Sequence, residues 1–414
     1  MDAHVKTLSA SLAQALFALF LLMMNVPASS VHYYSNAKLP SPMQNPPPEV
    51  AMAEGNAQRS RVLPTKSVDI TPQQLIWRLE KLFKIVSFEP FTLQNGPFTI
   101  KGDLPTGQSF TFPIVSEGIL FFTLDVGTAY FYAIDAINGK QLVTLEFDRN
   151  RLSGPAAIGH TAFFGTDSGR VYAYDVDRRK TKWIFEQKDR SFAYSDPAVD
   201  QGVVYICGWN IGLFALAADT GAVRWIFKSN DPLYGPAIKD DDLILYDPKG
   251  LMISVDRRTG TKRWESKIGR NFYIPAILDD QIIVGHEEGE IRAYALNDGS
   301  LRWKSKKDGG AQTALVLFKD TVFYGERYGN IVALDARTGL EKWRFKTKQP
   351  CGQPIIAGDT LYTSCRDRNM YAIESQTGQE KWKWENKKAV PPPPTFAGGI
   401  IYFLGGDGSL TAMK

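Results

Sequence analysis

The hydrophobic residues of this chain fall into short runs rather than helical stripes. Residues 197–227, PAVDQGVVYICGWNIGLFALAADTGAVRWIF, contain one short and three longer apolar runs rich in Val, Ile, Phe and Tyr. Asp-Gln-Gly, Gly-Trp-Asn-Ile-Gly and Asp-Thr-Gly separate these runs. The pattern predicts four strands joined by tight connections. No stretch of this region combines a helical apolar period with end caps, which argues against a parallel sheet with crossover helices.

The same pattern returns along the chain at a nearly fixed interval. When Asp335 is taken as the reference position, its equivalents are Asp135, Asp175, Ala217, Asp256, Ala295, Glu374 and Lys414. The steps between successive positions are 40, 42, 39, 39, 40, 39 and 40 residues. A repeat of about 40 residues with four antiparallel strands is typical of a propeller blade.

Each recurring residue has a structural role in such a blade. A small residue two positions before the reference lets adjacent blades approach each other closely. The reference Asp accepts backbone N–H groups of the turn that follows, and a Gly four positions after the reference supplies the positive φ that this turn needs. Eight positions after the reference, six copies carry a tryptophan: Trp183, Trp225, Trp264, Trp303, Trp343 and Trp382. Because a Trp ring offers a large apolar area and one N–H donor, we expect these six to dock between blades and not on a ligand.

The two ends of the repeat region give the blade count. Seven complete four-strand units follow Pro113, and the final segment, PPPTFAGGIIYFLGGDGSLTAMK, supplies only three strands. An incomplete blade exposes a strand edge, so an extended stretch within 87–112 is expected to complete it and close the ring. The predicted fold is therefore all-β, an eight-bladed β-propeller of four-stranded antiparallel blades over 87–414. A seven-bladed ring with a spare sheet is the alternative.

Two segments at the start of the chain indicate export. Residues 1–30 contain an apolar core from Ala15 to Met24 followed by small residues, the pattern of a cleaved signal peptide; an uncleaved anchor is the alternative. Residues 31–66 are rich in Pro, Asn and Ser and predict a flexible linker. No cysteine for lipid attachment follows the apolar core. The expected location is periplasmic or secreted.

A short amphipathic helix is predicted over 67–86. Thr71 and Gln74 have the spacing of a capping box, and Pro72 stands at the first helical position. One helical face then carries the apolar residues Leu75, Ile76, Leu79, Leu82 and Phe83. We expect this helix to pack under the propeller, and docking of a partner is the alternative.

The repeat resembles that of a known family. Ala-x-Asp-x-x-Thr-Gly-x-x-x-Trp, best preserved as ALDARTGLEKW and AIESQTGQEKW, is similar to the tryptophan-docking repeat of the quinoprotein (PQQ) dehydrogenase-like propellers. That superfamily includes quinone-dependent dehydrogenases and non-enzymatic members such as BamB, the propeller subunit of the outer-membrane β-barrel assembly machine. The resemblance, greatest to BamB, implies a scaffold for protein partners in that assembly. A quinoprotein dehydrogenase or solute-binding propeller, and a cell-surface interaction protein, are the alternatives.

The sequence argues against enzymatic chemistry. Resemblance to the quinone enzymes would imply an adjacent Cys-Cys pair, but Cys207, Cys351 and Cys365 stand apart, and short loops leave little material for a quinone and calcium pocket. The four histidines show no metal-ligand spacing. HEEGE, residues 286–290, lacks the second His of a metalloprotease helix and is expected to be a solvated turn. We therefore predict no enzyme activity, no cofactor and no metal.

The cysteines are few and odd in number. Cys351 and Cys365 flank a tight hairpin of the seventh blade, and the sequence leaves open whether they are bridged. Cys207 lies in an apolar run and is expected to be a buried free thiol.

Charge limits the choice of partner. A net charge of +4 over 414 residues is weak, and the Lys and Arg residues alternate with apolar ones along predicted outer strands, as in KWRFKTK. Such alternation is typical of a strand with one solvated face, so nucleic acid is not an expected partner. We expect a monomeric propeller with protein partners, associated with a membrane only through them or through an uncleaved N-terminal segment.

Recognition is expected in the connections between blades, since the strands are committed to packing. In BamB-like proteins the connections around the third to fifth blades face the assembly partner. The corresponding segments here, 229–236 and 267–275, offer Leu233, Tyr234, Arg270, Phe272 and Tyr273. Aromatic residues with an Arg are the composition of an interface hot spot. Alternatively, these aromatic residues cover the end of the blade core.

Overall fold

The structure is a computed structural model. It describes residues 75–79, 109–110, 113–125, 128–147, 150–187, 195–208, 211–270, 275–286, 288–306, 309–311, 313–385, 394–397, 400–404 and 410–413. Every regular element within these ranges is a β-strand, and no helix occurs in them. The predicted signal segment 1–30 and linker 31–66 lie outside the described residues.

The strands form eight antiparallel sheets, which we number as blades in chain order. Blade 1 contains β2 (Ser109–Phe110) and β3 (Ile114–Ser116), both along one edge of β4 (Ile119–Asp125), then β5 (Ala129–Asp135) and β6 (Gln141–Phe147). Blade 2 contains β7 (Ala156–Ile158), β8 (Thr161–Gly165), β9 (Arg170–Asp175) and β10 (Lys180–Glu186). Blade 3 contains β11 (Ala198–Asp200), β12 (Val203–Gly208), β13 (Gly212–Ala217) and β14 (Val223–Lys228). Blade 4 contains β15 (Tyr234–Lys239), β16 (Asp242–Tyr246), β17 (Leu251–Asp256) and β18 (Lys262–Lys267).

The second half of the chain repeats this order. Blade 5 contains β19 (Ala276–Leu278), β20 (Gln281–Gly285), β21 (Ile291–Ala295) and β22 (Leu301–Lys304). Blade 6 contains β23 (Val316–Phe318), β24 (Thr321–Gly325), β25 (Asn330–Asp335) and β26 (Glu341–Lys346). Blade 7 contains β27 (Ile355–Ala357), β28 (Thr360–Ser364), β29 (Asn369–Glu374) and β30 (Glu380–Glu385). Blade 8 contains β31 (Thr395–Ala397), β32 (Ile400–Leu404), β33 (Leu410–Met413) and, as its outer strand, β1 (Leu75–Leu79).

The N-terminal strand corrects two expectations from the sequence. The helix predicted over 67–86 is wrong where the structure describes it, because Leu75–Leu79 form β1, paired antiparallel with β33 from Leu79 opposite Leu410 to Leu75 opposite Met413. A strand from the N-terminal region does complete blade 8, as expected, but it lies upstream of 87–112. Without β1 the edge of β33 would have unpaired N–H and C=O groups, and this short apolar segment pairs with that edge.

The inner strands close into a ring. Each of β3, β7, β11, β15, β19, β23, β27 and β31 contacts the next, and β3 also contacts β31. Two hydrogen bonds cross the seam between blades 8 and 1: the Thr395 hydroxyl donates to the Pro113 carbonyl, and the Tyr402 hydroxyl donates to the Ala136 carbonyl at 2.9 Å. The prediction of an eight-bladed propeller is confirmed.

Burial falls from the centre to the rim of each blade. In blade 3, all six residues of β12 are buried, whereas β14 alternates between exposed and half-buried positions. The middle strands are covered by sheets on both sides and therefore read as continuous apolar runs, while the outer strand has one solvated face. Apolar clusters between neighbouring blades, such as the one spanning blades 3 to 5, make up the core.

The repeated tryptophans lie between adjacent blades. Trp343 of blade 6 donates its ring N–H to the Ser375 carbonyl of blade 7 at 3.0 Å, and a Cβ on Gly378 would lie 2.7 Å from its ring. The same ring N–H bond to the next blade joins Trp183 to Ala218 at 3.0 Å, Trp225 to Arg257 at 3.1 Å and Trp264 to Leu296 at 2.8 Å. Trp303 packs under Gly339 but donates to the Gln281 side chain at 3.0 Å, and Trp382 packs beside Tyr362 of its own blade.

The seam between blades 1 and 2 lacks this arrangement on both sides. Blade 1 has Val143 at the tryptophan position, and blade 2 has Arg179 where the other turns have glycine. Arg179 keeps the positive φ, 51°, that the turn requires. At the seams from blade 2 to blade 7, the Trp ring occupies the space that a Cβ on the turn glycine would need. Arg179 has a Cβ, and the smaller Val143 in place of a tryptophan is consistent with it.

The reference carboxylates fix the turns after the third strands. Asp256 Oδ1 accepts the backbone N–H groups of Arg258 at 2.9 Å and Thr259 at 3.1 Å, and Asp135 and Asp335 make the equivalent bonds. The Arg263 guanidinium also donates to Asp256 Oδ2 at 2.6 Å. This hydrogen bond is the main cause that lowers the pKa of Asp256 to about 2.

This pair predicts a pH dependence of stability. The pKa of Asp256 is lower in the folded chain than in the unfolded chain, so its contribution is present above the unfolded pKa and is lost as the pH falls through about 2. In Arg263→Gln, the loss of unfolding free energy between about pH 4 and pH 2 should shrink by about 1 kcal/mol, allowing for solvent screening. Urea unfolding across this range measures it. Arg258→Gln, which keeps its backbone bond to Asp256, is the matched control, and equal pH slopes in all three proteins would contradict the assignment.

Candidate protein-binding surface

The connections between blades lie together at one end of the propeller. Because neighbouring strands of a blade run in opposite directions, the hairpin between its second and third strands shares an end with the connection to the next blade. Segments 229–236 and 267–275 are connections of this kind, from blade 3 to blade 4 and from blade 4 to blade 5. The hairpin 247–250 of blade 4 lies between them.

The first segment is held by bonds to the hairpins of blades 3 and 4. The Ser229 N–H donates to the Ile211 carbonyl at 3.2 Å, and the Asp231 N–H donates to the Ser229 hydroxyl at 3.2 Å. Asp231 Oδ1 lies 2.6 Å from Lys249 Nζ, and this hydrogen bond raises the pKa of the lysine. The segment is therefore positioned by both blades that it joins.

Leu233 and Tyr234 have different surroundings. Leu233 is 4% exposed and belongs to the core cluster of blades 3 to 5, so its burial favours the packing role over the interface role. The Tyr234 ring is half-buried and stacks on Tyr246, with ring centroids 5.4 Å apart. Of the two, only Tyr234 reaches the surface.

The second segment contributes an exposed guanidinium. Arg270 Nε donates to the Pro248 carbonyl at 3.1 Å, and no carboxylate among the described residues pairs with this side chain. Arg270 as a whole residue is exposed. Phe272 and Tyr273 lie in 271–274, outside the described residues.

Two glycines bring the segment and the hairpin into direct contact. A Cβ on Gly250, whose φ is +91°, would lie 2.4 Å from the carbonyl carbon of Gly269. The Ile268 N–H donates to the Gly250 carbonyl at 2.9 Å. Only glycine allows so close an approach of two backbones, so Tyr234, Lys249 and Arg270 are presented by connected loops.

Sequence reasoning missed the contribution of the hairpin 247–250. The Asp247 carboxylate is buried and accepts the backbone N–H groups of Lys249 at 2.9 Å and Leu251 at 2.8 Å. The signal was present as Asp-Pro-Lys-Gly, a turn sequence in which the first side chain bonds to the backbone two residues later.

The interpretation of HEEGE as a solvated turn is wrong for its first and last residues. His286 is 6% exposed, and Glu290 is also buried. Glu290 forms an ion pair with Arg292 at 2.8 Å, which is the largest cause of the lowered pKa of Glu290. The segment makes a tight strand connection, but its ends belong to the interior because the neighbouring Gly269 packs against the imidazole.

Three further features bear on the chemistry of the described residues. Cys351 and Cys365 are joined by a disulfide, and Cys207 is buried and not disulfide-bonded. Within the described ranges, no group of three or more His, Cys, Asp or Glu side chains is arranged to hold a metal ion. That part of the chain likewise contains no helix with the length and hydrophobicity needed to cross a membrane.

A ring of eight antiparallel blades, in which the tryptophans of blades 2 to 6 pack against the glycine turns of the next blade, defines a propeller of the PQQ-like repeat class. The chain belongs to the family described as outer membrane protein assembly factor BamB, whose family model matches residues 127–281, 192–314 and 287–414. No curated protein matches the sequence.

Solved structures share the fold at low sequence identity. BamB from Moraxella catarrhalis is 17% identical with a TM-score of 0.60, and the match covers 74% of this chain and 96% of that one. The quinohemoprotein alcohol dehydrogenase ADHIIG from Pseudomonas putida HK5 is 14% identical with a TM-score of 0.61, covering 86% and 78%. The computationally designed Ika8 protein is 14% identical with a TM-score of 0.64, covering 74% and 96%. At these identities the matches establish the fold alone.

Proposed function

We propose that this protein is a non-enzymatic scaffold of the periplasm that binds another protein during the assembly of outer-membrane β-barrels. Membership of the assembly-factor family supports the process. The observation that carries the binding role is the exposed Arg270, which has no carboxylate partner among the described residues and lies on loops fixed by backbone contact. Rigid loops lose little conformational entropy when they bind, which favours recognition of a folded partner.

The partner surface in this proposal consists of Tyr234, Lys249 and Arg270. A guanidinium and an aromatic ring are typical anchors of protein interfaces. Lys249 is already paired with Asp231, which compensates its charge, so it contributes less to the attraction of a partner.

A quinone-dependent dehydrogenase is the second candidate, because the match to quinohemoprotein alcohol dehydrogenase ADHIIG covers 86% of this chain. The two functions differ in a direct measurement. We expect no quinone absorbance band after incubation of the purified chain with the quinone and Ca²⁺. A stoichiometric band with calcium-dependent thermal stabilisation would overturn the scaffold proposal.

A substitution at the proposed surface tests the binding role. The double variant Arg270→Ala with Tyr234→Ala should capture the barrel-assembly subunit with periplasmic repeat domains about tenfold more weakly, equivalent to ~1.4 kcal/mol. The measurement is a titration of that subunit against the immobilised full chain.

Two further variants make the result specific. Arg270→Ala alone removes no buried packing and should retain most of the effect, whereas Lys182→Ala changes an exposed cation of β10 and should leave capture unchanged. Unaltered capture by a folded double variant would place the partner elsewhere on the ring.

A further inference from the structure

A second group of loops on the same end of the propeller carries an excess of positive charge. It belongs to blades 6 and 7 and consists of residues 309–311, 326–329, 347–352 and 365–368, which we call the basic loop surface. Blades 3 and 4, which carry the surface proposed above, lie elsewhere on the ring.

Backbone hydrogen bonds make these loops one continuous surface. The Thr347 N–H donates to the Gly329 carbonyl at 2.8 Å, and the Arg366 N–H donates to the Pro350 carbonyl at 2.9 Å. The disulfide between Cys351 and Cys365 joins the same two segments covalently. The backbones that carry these side chains are therefore held at fixed separations before any partner arrives.

Within the part of the chain that the structure describes, no carboxylate pairs with the exposed cations of the basic loop surface. Its four exposed cationic residues are Arg327, Lys348, Arg366 and Arg368. No carboxylate among the described residues pairs with any of them, whereas several exposed arginines at the opposite end of the propeller are paired. Arg337, for example, lies 2.9 Å from Asp279 and 3.1 Å from Asp320.

The acids within the basic loop surface are already engaged. Both Glu326 oxygens accept from Arg344, at 2.7 and 2.8 Å, and Asn330 donates to the same carboxylate. Asp367 accepts the Tyr371 hydroxyl at 2.6 Å. The Glu326 charge is compensated by Arg344, whereas Asp367 keeps its charge and offsets one of the four exposed cations. A positive excess remains, so the surface attracts negative charge from solution.

One aromatic side chain stands among these cations. Tyr328 is 74% exposed, and a Cβ on Gly309 would lie 3.4 Å from its ring, so one edge of the ring rests on backbone. An exposed ring with a backbone support offers its free face to an apolar or aromatic group.

We infer that the basic loop surface binds an acidic segment of a partner protein, with an apolar or aromatic side chain of that segment packed on Tyr328. Four cations on two adjacent blades match a short run of carboxylates, and charge complementarity fixes the register of such a segment. A membrane surface would require several apolar side chains for insertion, and the exposed apolar group described here is the single ring of Tyr328. Single-stranded nucleic acid would require stacking platforms for successive bases.

The test uses the full chain and a fluorescent random copolymer of glutamate and tyrosine, followed by anisotropy. We expect saturable binding that weakens with added salt. Arg327→Glu with Arg366→Glu should weaken it about tenfold or more, because each change removes an attraction and adds a repulsion. Tyr328→Ala should weaken it about threefold. Lys180→Glu with Lys182→Glu makes the same change in net charge on β10 and should leave binding within about twofold.

Other outcomes overturn the inference. Equal weakening by the β10 variant would show that only net charge matters. No change with Tyr328→Ala would remove the aromatic contact, and tighter binding of phosphatidylglycerol vesicles or single-stranded DNA would assign the surface to lipid or nucleic acid. Weakening by Arg270→Ala would place the copolymer on the surface of blades 3 and 4. Arg270 belongs only to the surface of blades 3 and 4. A negative result for copolymer binding is therefore distinguishable from a negative result for the proposed function.

Discussion

Removal of residues 1–80 is expected to leave a protein that aggregates and fails to unfold cooperatively. The deletion removes β1, whose backbone pairs with β33 from Leu79 opposite Leu410 to Leu75 opposite Met413. Without it, β33 becomes an exposed edge with unpaired N–H and C=O groups, which promotes pairing between chains. Size-exclusion chromatography and thermal unfolding of the truncated chain measure the effect.

The matched control is removal of residues 1–74, which retains all of β1. This chain should be monomeric and should unfold in one transition close to that of the full chain. Equal solubility of the two truncated chains would show that the ring closes without the N-terminal strand.

Trp343→Ala should lower the free energy of unfolding by ~3 kcal/mol, the lower end of the range for truncating a core aromatic, because the Trp343 side chain is half-buried. The substitution removes the ring that lies under Gly378 and leaves the Ser375 carbonyl without its donor at the interface of blades 6 and 7. Both losses act in the same direction. Urea unfolding gives the value.

Tyr328→Ala is the control for loss of an aromatic side chain at an exposed position of the same blade, since 74% of Tyr328 is accessible. Its free energy of unfolding should change by less than about 0.5 kcal/mol. If Trp343→Ala were equally mild, the tryptophan would have a role other than interblade packing.

The period of the sequence was sufficient to predict the ring, but not the state of residues 75–79. Leu75, Ile76 and Leu79 share a helical face, and the same five residues, LIWRL, are equally compatible with a buried strand. The strand forms because β33, far away in the sequence, offers an open edge. Local spacing carries no information about that distant partner.

The candidate surfaces also depend on contacts between residues that are far apart in the sequence. The sequence places cations all around the ring, and which of them are neutralised depends on contacts between blades. Arg337 is paired with Asp279, 58 residues away, whereas Arg366 meets no carboxylate in the described part of the chain. The sequence places Leu233 among the candidate interface residues because its segment joins two blades, whereas the structure buries it in the core.

Closure of blade 8 by β1 also determines when folding can finish. The two strands of this pair are about 340 residues apart, and the entropy of closing a loop rises only slowly with its length, so the separation costs little stability. Folding rates, in contrast, fall with the sequence distance between contacts. During synthesis, β1 is made before all the other strands and has no pairing strand until β33 is complete. Pairing of β1 with β33 is therefore expected to be the slow last step, and until it occurs the outer edge of blade 8 stays unpaired.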